Sequence, residues 1–108
     1  QARRVENRIA GMDCNPYLGI AVSLACGYLG MKNELRPSKQ YRGDAYEGRE
    51  DLPRGMGEAL GLFEDASELH EILGSEFTRV YSIVKRAEYD EFLQVISPWE
   101  REHLLLNV

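Results

Sequence analysis

The segment from Cys14 to Met31 contains no charged residue, and it constrains the fold more than any other feature of the chain. It opens with Asn15 and Pro16, which are typical of the N-cap and the first position of a helix. We therefore predict a helix over residues 16–35. The length of the segment nominally admits a membrane span. Its polar and glycine residues, with no aromatic belt or basic flank, argue against one.

The predicted helix is apolar around more than half of its circumference, and small residues gather in the remaining stripe. The stripe consists of Gly19, Ser23, Gly27 and Gly30. A helix that is apolar nearly all round is buried, and a stripe of small residues lets another backbone approach closely. We therefore predict that this helix is the central packing element of a larger enzyme core, without chemistry of its own.

Residues 3–9 show the alternation of a short β-strand. Side chains alternate across a strand, so Arg4, Glu6 and Arg8 share one face. The opposite face carries Val5, Asn7 and Ile9. A lone strand is not stable, so this one must pair with strands outside the chain. The expected fold of the chain is mainly α-helical with one N-terminal strand.

The middle of the chain predicts a long loop and two short helices. The loop covers residues 36–55, which are rich in glycine, proline and charge. A loop of this length is uncommon in a compact domain unless it is functional or mobile. Asp65 and Glu68 have the spacing of a capping box for the second short helix, and Gly74 ends that helix.

A long helix follows, from a cap at Ser75 to about Ile96. Glu88 falls in the middle of its apolar face, where an unpaired carboxylate would be costly. We expect Glu88 to be at least partly buried and paired with a cation such as Lys85. The sequence Ser-Pro-Trp-Glu over residues 97–100 predicts a further capping box and a final short helix.

Charge and cysteine usage exclude several classes of partner. The net charge of −5 argues against nucleic acid and anionic membranes, which need clustered Lys and Arg. Cys14 and Cys26 lack metal-binding spacing and would lie ~15 Å apart or more along the predicted helix, too far for a disulfide. Two free thiols indicate a reducing compartment, which points to the cytoplasm.

The trio Arg4, Glu6 and Arg8 is the one constellation that suggests chemistry. Alternate residues of a strand lie roughly 6.5–7 Å apart. The three charges suit a structural ion-pair cluster. Spacing alone favours that interpretation. The same trio also suits a nucleotide phosphate and its metal ion, because Arg binds phosphate bidentately and Glu offers hard oxygen to Mg²⁺. No Ser-His-Asp triad, Cys-His pair or glycine-rich phosphate loop is visible in the sequence.

At these residues the chain resembles the C-terminal end of the glutamine synthetase catalytic domain. The resemblance rests on the spacing of these motifs and covers essentially all of residues 1–108. The motifs are Arg3-Arg4-Val5-Glu6-Asn7-Arg8, Asn15-Pro16-Tyr17-Leu18, Leu52-Pro53, Glu58-Ala59-Leu60 and Trp99-Glu100. The sequence of residues 6–11 is more similar to the branch of this family that joins glutamate to polyamines or other amines.

The resemblance implies an α+β parent fold and an ATP-dependent ligase. The family phosphorylates the γ-carboxylate of glutamate and lets ammonia or an amine displace the phosphate. Glu6 matches a ligand of Mg²⁺ or Mn²⁺ beside the nucleotide. Arg8 matches the arginine that contacts glutamate and the transferred phosphoryl group, and Arg4 matches one on the ATP phosphates. The chain alone is expected to be inactive, because most metal ligands of the family lie outside it.

The resemblance also implies assembly, since the family forms stacked rings of identical subunits. In bacterial members the C-terminal segment inserts into the opposite ring, and residues 98–108 match it here. The apolar cluster Leu104, Leu105, Leu106 and Val108 fits that role. The alternative interpretation is that these leucines fold back onto their own subunit.

A second interpretation is an independent helical interaction or assembly module without catalytic activity. The unpaired strand and the over-apolar helix favour the ligase.

Overall fold

Five helices make up the regular structure of the chain, which a computed structural model describes over residues 2–44 and 52–105. They are α1 (Pro16–Lys32), α2 (Met56–Asp65), α3 (Ser67–Leu73), α4 (Ser75–Leu93) and α5 (Pro98–His103). Residues 36–44 and 52–55 of the predicted loop contain no helix or strand, and the rest of that loop lies outside the described residues. Within the described ranges, no helix combines the length and apolarity that crossing a membrane requires.

Helix α1 begins where the sequence predicts. The Oδ1 atom of Asn15 accepts hydrogen bonds from the backbone N–H groups of Tyr17 and Leu18, at 3.0 and 3.3 Å. Pro16 occupies the first helical position, where no N–H is needed. The N-terminal end of α1 is therefore fixed by local chemistry alone.

The end of α1 differs from the prediction, because the helix stops at Lys32 rather than Leu35. Glu34 adopts a φ of 50°, in the left-handed region that terminates helices. The N–H of Leu35 then donates back to the carbonyl of Gly30 at 2.9 Å. The backbone leaves the helix after Lys32, although the amino acids that follow are also compatible with a helix.

The predicted N-terminal strand is not formed in this structure. Residues 2–9 carry no regular secondary structure. A strand requires a neighbouring strand to complete its hydrogen bonds, and the described residues provide none. The structure therefore does not confirm the predicted strand, whose pairing was expected to come from outside the chain.

The helices pack in a chain of neighbours, α1 on α3, α3 on α4 and α4 on α2. The most deeply buried residues are Ala25, Leu60 and Thr78. Helices α2 and α4 approach closely at Gly57, where an added Cβ would lie 3.2 Å from the ring of Tyr89. A larger residue at position 57 would require the Tyr89 ring to shift by a few tenths of an ångström.

The helices do not enclose a substantial core of their own. The radius of gyration is 18.1 Å, whereas a compact domain of this length has roughly 13 Å. The predicted burial of α1 is not found within the described chain, because Tyr17 is 83% exposed and most large apolar side chains of the helix lie open. Only α3 packs substantially against α1, so most of its surface has no cover from the described helices.

The predicted capping box of Asp65 and Glu68 is also absent. Ala66 occupies the N-cap position of α3, and no side chain caps that end. Glu68 instead accepts a hydrogen bond from Nδ2 of Asn33 at 2.9 Å. That bond ties α3 to the residue that follows α1, and a tertiary contact replaces the predicted local one.

Gly74 ends α3 as predicted, with a φ of 92° that favours glycine. The same glycine occupies the N-cap position of α4, so Ser75 is the first helical residue rather than the cap. Helix α4 ends at Leu93, earlier than the predicted Ile96. Its predicted start was wrong because a single residue, Gly74, serves both helices.

Glu88 pairs with Lys85 as predicted, at 2.6 Å between Oε2 and Nζ. The hydrogen bond to Glu88 is the main cause that raises the pKa of Lys85. The predicted burial of Glu88 was wrong, since its side chain is exposed. The neighbouring apolar residues Val84 and Phe92 are exposed as well, so this face of α4 has no cover in the described chain.

The capping box of α5 is confirmed in both directions. Oγ of Ser97 accepts from the N–H of Glu100 at 3.1 Å, and Oε2 of Glu100 accepts from the N–H of Ser97 at 2.7 Å. The bond from the backbone N–H of Ser97 is the largest cause that lowers the pKa of the Glu100 carboxyl below its usual 4.5, and a hydrogen bond with the Ser97 side chain lowers it further. The imidazole of His103 stacks on Trp99 one turn later, with 4.8 Å between ring centroids.

Helix α5 should therefore fray as the pH falls through the folded-state pKa of Glu100. Folding lowers this pKa, so the stabilisation is complete above the unfolded value of 4.5 and is lost on acidification. Amide hydrogen exchange at Ser97 should accelerate at low pH beyond the intrinsic chemical rate. In Glu100→Gln, which keeps an acceptor but does not titrate, the protection of Ser97 should not depend on pH over this range. A pH-independent protection in the unaltered protein would contradict the prediction.

Candidate active site

The N-terminal segment is fastened to the small-residue stripe of α1 by one side chain. Nδ2 of Asn7 donates a hydrogen bond to Oγ of Ser23 at 2.9 Å. The hydroxyl of Ser23 donates in turn to the carbonyl of Gly19 at 2.8 Å. Ser23 of the stripe thus contacts the segment that carries the charged trio. A Cβ added at Gly27 or Gly30 would meet no atom within 4 Å, so the predicted close approach of another backbone is not found there in the described chain.

Asn7 also shapes its own segment. Its Oδ1 atom accepts a hydrogen bond from the backbone N–H of Ile9 at 3.0 Å. Both ends of the carboxamide are therefore engaged, one with α1 and one with the segment itself. After the segment, the N–H of Cys14 donates to the carbonyl of Gly11 at 3.1 Å, in a turn that leads directly into α1.

Glu6 and Arg8, which flank Asn7, contact each other. Nε of Arg8 lies 2.6 Å from Oε1 of Glu6. The contact agrees with the predicted sharing of one face by alternate residues. The side chains are 56% and 85% exposed, and exposed ion pairs contribute little to stability. Both charges are accessible to a ligand.

Arg4 is not brought into this pair. It is exposed, and no ion pair of Arg4 occurs within residues 2–44 and 52–105. The structure therefore joins two of the three predicted site residues and leaves the third at the open end of the segment.

Sequence reasoning missed the roles of Asn7 and Ser23. The alternation placed Asn7 opposite the charged face, and the helical wheel placed Ser23 in the small-residue stripe. Ser23 is the one member of that stripe with a polar side chain. The amide of Asn7 on one face of the segment and the hydroxyl of Ser23 in the stripe were the two features from which their contact could have been predicted.

A shallow groove along α2 and α4 is the other charged surface, lined in part by Glu64, Arg86 and Asp90. Arg86 donates to both carboxylate oxygens of Glu64, at 3.0 and 2.6 Å. The bonds from Arg86 lower the pKa of Glu64. The charges of Glu64 and Arg86 pair with each other and link α2 to α4. This pair therefore has a structural role, whereas the Glu6–Arg8 pair links no helices.

The family described as "Glutamine synthetase, catalytic domain" matches residues 1–104 of the chain. The chain belongs to the glutamine synthetase family. That match includes the segment with Glu6 and Arg8 as well as all five helices.

Individual relatives within the glutamine synthetase family agree with this assignment. The chain is 38% identical to glutamate–isopropylamine ligase of a Pseudomonas species over 103 residues. It is 38% identical to gamma-glutamylputrescine synthetase of Escherichia coli over 106 residues, and 35% identical to type-1 glutamine synthetase 2 of Dictyostelium discoideum over 111. These alignments cover 92%, 96% and 97% of the chain, respectively.

The same alignments cover only 22%, 22% and 21% of the three relatives. This glutamine synthetase-family chain therefore spans about a fifth of their length. No solved structure matches it.

The side chains of this glutamine synthetase-family chain are compatible with providing one ligand of a metal site. The described residues contain no cluster of three or more His, Cys, Asp or Glu side chains that would hold a metal ion. Glu6 offers an accessible carboxylate, the hard oxygen donor that Mg²⁺ and Mn²⁺ prefer. The chain can supply one ligand through Glu6, and the remaining ligands must come from outside the described residues.

Proposed function

We propose that this chain is the C-terminal part of the catalytic domain of an ATP-dependent ligase. The ligase activates the γ-carboxylate of glutamate as a phosphate ester and joins it to ammonia or an amine. The observation that carries the proposal is the accessible Glu6–Arg8 pair on the segment fastened to α1, within a chain that matches the family over residues 1–104.

Three residues carry the proposed chemistry. Glu6 holds Mg²⁺ or Mn²⁺ beside the nucleotide, Arg8 contacts the glutamate carboxylate and the transferred phosphoryl group, and Arg4 contacts the phosphates of ATP. A guanidinium binds carboxylate and phosphate in a bidentate manner. Phosphoryl transfer is catalysed mostly by positioning and charge neutralisation, which these residues supply. A metal ion held by Glu6 would neutralise charge that develops on the phosphoryl oxygens.

The packing of the chain supports a role as part of a larger domain rather than as an independent module. Its helices bury few residues, and α1 leaves Tyr17, Ile20 and Leu24 exposed. In the proposed ligase, the rest of an α+β catalytic domain covers α1 and supplies partner strands for residues 3–9. The isolated chain would lack most of the active site and would be inactive.

The acceptor, location and assembly of the ligase extend the proposal. The acceptor is ammonia or an amine, since relatives named for isopropylamine, putrescine and glutamine synthesis all match. The free Cys14 and Cys26 support a cytoplasmic enzyme. Its subunits form a homo-oligomer of stacked rings, and neither nucleic acid nor membrane is a partner.

Arg8→Ala in the complete enzyme should raise the KM for glutamate by about tenfold or more and lower kcat as well. Loss of a charge-assisted bidentate contact weakens both the ground state and the transition state. Steady-state kinetics at saturating ATP and metal measure both parameters. Arg79→Ala, which removes an exposed arginine paired with Glu76 on α4, is the matched control and should be neutral. An unchanged KM and kcat in Arg8→Ala would refute the role of Arg8.

A further inference from the structure

We infer that Asn7 and Ser23 are positioning residues, which together set the orientation of Glu6 and Arg8 toward metal and glutamate. The inference rests on the function proposed above and adds to it two residues that touch neither ligand. Its basis is the hydrogen-bond chain that links the charged segment to α1.

The direction of these hydrogen bonds is defined. The hydroxyl proton of Ser23 is committed to the carbonyl of Gly19, so its oxygen is left to accept. Nδ2 of Asn7 donates to that oxygen, and Oδ1 of the same amide accepts from Ile9. An amide supplies both functions at once, whereas alanine supplies neither.

Fixing Asn7 also fixes its two neighbours. Asn7 lies between Glu6 and Arg8. Its hydrogen bonds to Ser23 and from the backbone N–H of Ile9 tie this part of the segment to α1. Glu6 and Arg8 contact each other on either side of that tie. Loss of this anchor removes the side-chain link between the segment and α1, and with it one constraint on the direction of both charges.

Helix α1 is a suitable reference for this orientation. Its first turn is fixed by the cap at Asn15, and Ser23 lies two turns further along. The other stripe members are glycines, so Ser23 provides the one side-chain anchor on that surface. A displacement of about 1 Å in a catalytic group can cost about a hundredfold in rate, so a single well-placed bond matters.

The test compares Asn7→Ala, Ser23→Ala and the double variant with the unaltered complete enzyme. Each single variant should raise both the KM for glutamate and the Mn²⁺ concentration for half-maximal rate, by about tenfold. The double variant should be no worse than Asn7→Ala alone, because Asn7→Ala already removes the bond to Ser23 together with the one from Ile9. Ser23→Thr, which keeps the hydroxyl, should retain most of the unaltered behaviour. Ser82→Ala, in the middle of α4, is the matched control.

The outcomes separate this inference from the proposed function. If Glu6→Gln leaves metal dependence intact, the proposed function fails whatever the other variants do. If Glu6→Gln is impaired but Asn7→Ala and Ser23→Ala are normal, the positioning role is overturned. Losses that add in the double variant, or a Ser23→Thr as impaired as Ser23→Ala, overturn it too. If Ser23→Ala does not fold, Ser23→Thr decides the test. A Ser23→Thr variant that folds but is inactive overturns the positioning role.

Discussion

Replacing Glu6 by glutamine in the complete enzyme should remove most of its metal-dependent turnover and barely change its thermal unfolding midpoint. The amide keeps the size of the side chain but loses the negative charge that, in the proposed function, would bind the metal. Loss of a charged ligand should cost several kcal/mol of transition-state stabilisation, a rate reduction on the order of a hundredfold to a thousandfold. Folding should tolerate the change, since the Glu6–Arg8 pair is exposed.

The measurement is ATP- and glutamate-dependent phosphate release across a titration of Mg²⁺ or Mn²⁺. Glu76→Gln is the matched control, because Glu76 is also an exposed carboxylate in a 2.7 Å pair with an arginine. The control should keep the activity and the metal requirement of the unaltered enzyme. If Glu6→Gln behaves in the same way, Glu6 is an ordinary ion-pair residue and the proposed metal role is wrong.

Deleting residues 103–108 should break the proposed assembly into single rings or smaller species. Leu104 and Leu105 are 49% and 64% exposed at the end of α5, and Leu106 and Val108 lie outside the described residues. Three consecutive leucines cannot all face one core from a single helical turn. Burying three or four such side chains against a partner would contribute roughly 5–10 kcal/mol before ordering costs.

Analytical ultracentrifugation of the truncated and intact enzymes gives the answer. A shortened enzyme that sediments as a smaller species supports the insertion of the tail into the opposite ring. Replacing Leu104 and Leu105 by serine keeps the chain length and should give the same shift if apolar contact is the cause. If the truncated enzyme sediments like the intact one, the tail folds onto its own subunit.

Local interactions were predictable from the sequence and tertiary ones were not. The cap at Asn15 and the box of Ser97 and Glu100 each join residues two or three apart, so their spacing alone predicts them. The strand over residues 3–9 is not confirmed, because its formation depends on partners that the described chain does not contain. The cap of α3 failed because Glu68 bonds to a distant residue instead.

The candidate site shows the same division. A period of two predicts that Glu6 and Arg8 share a side, and the 2.6 Å contact between them agrees. The bond from Asn7 to Ser23 spans sixteen positions and depends on how the segment lies along α1, which no local pattern encodes. The chemical roles of Glu6, Arg8 and Arg4 came from the family resemblance and stay predictions.

The exposed apolar surface of α1 affects the solubility and the abundance of the protein in the cell. Tyr17, Leu24 and Met31 are exposed along α1, in which Lys32 at the end is the one charged residue. Exposed apolar surface of this kind promotes aggregation during folding. Until other parts of the protein cover it, α1 is a target for chaperones and proteases. Synthesis of this region apart from the rest of its enzyme should therefore yield little soluble material, and selection on α1 should act through protein abundance as well as through activity.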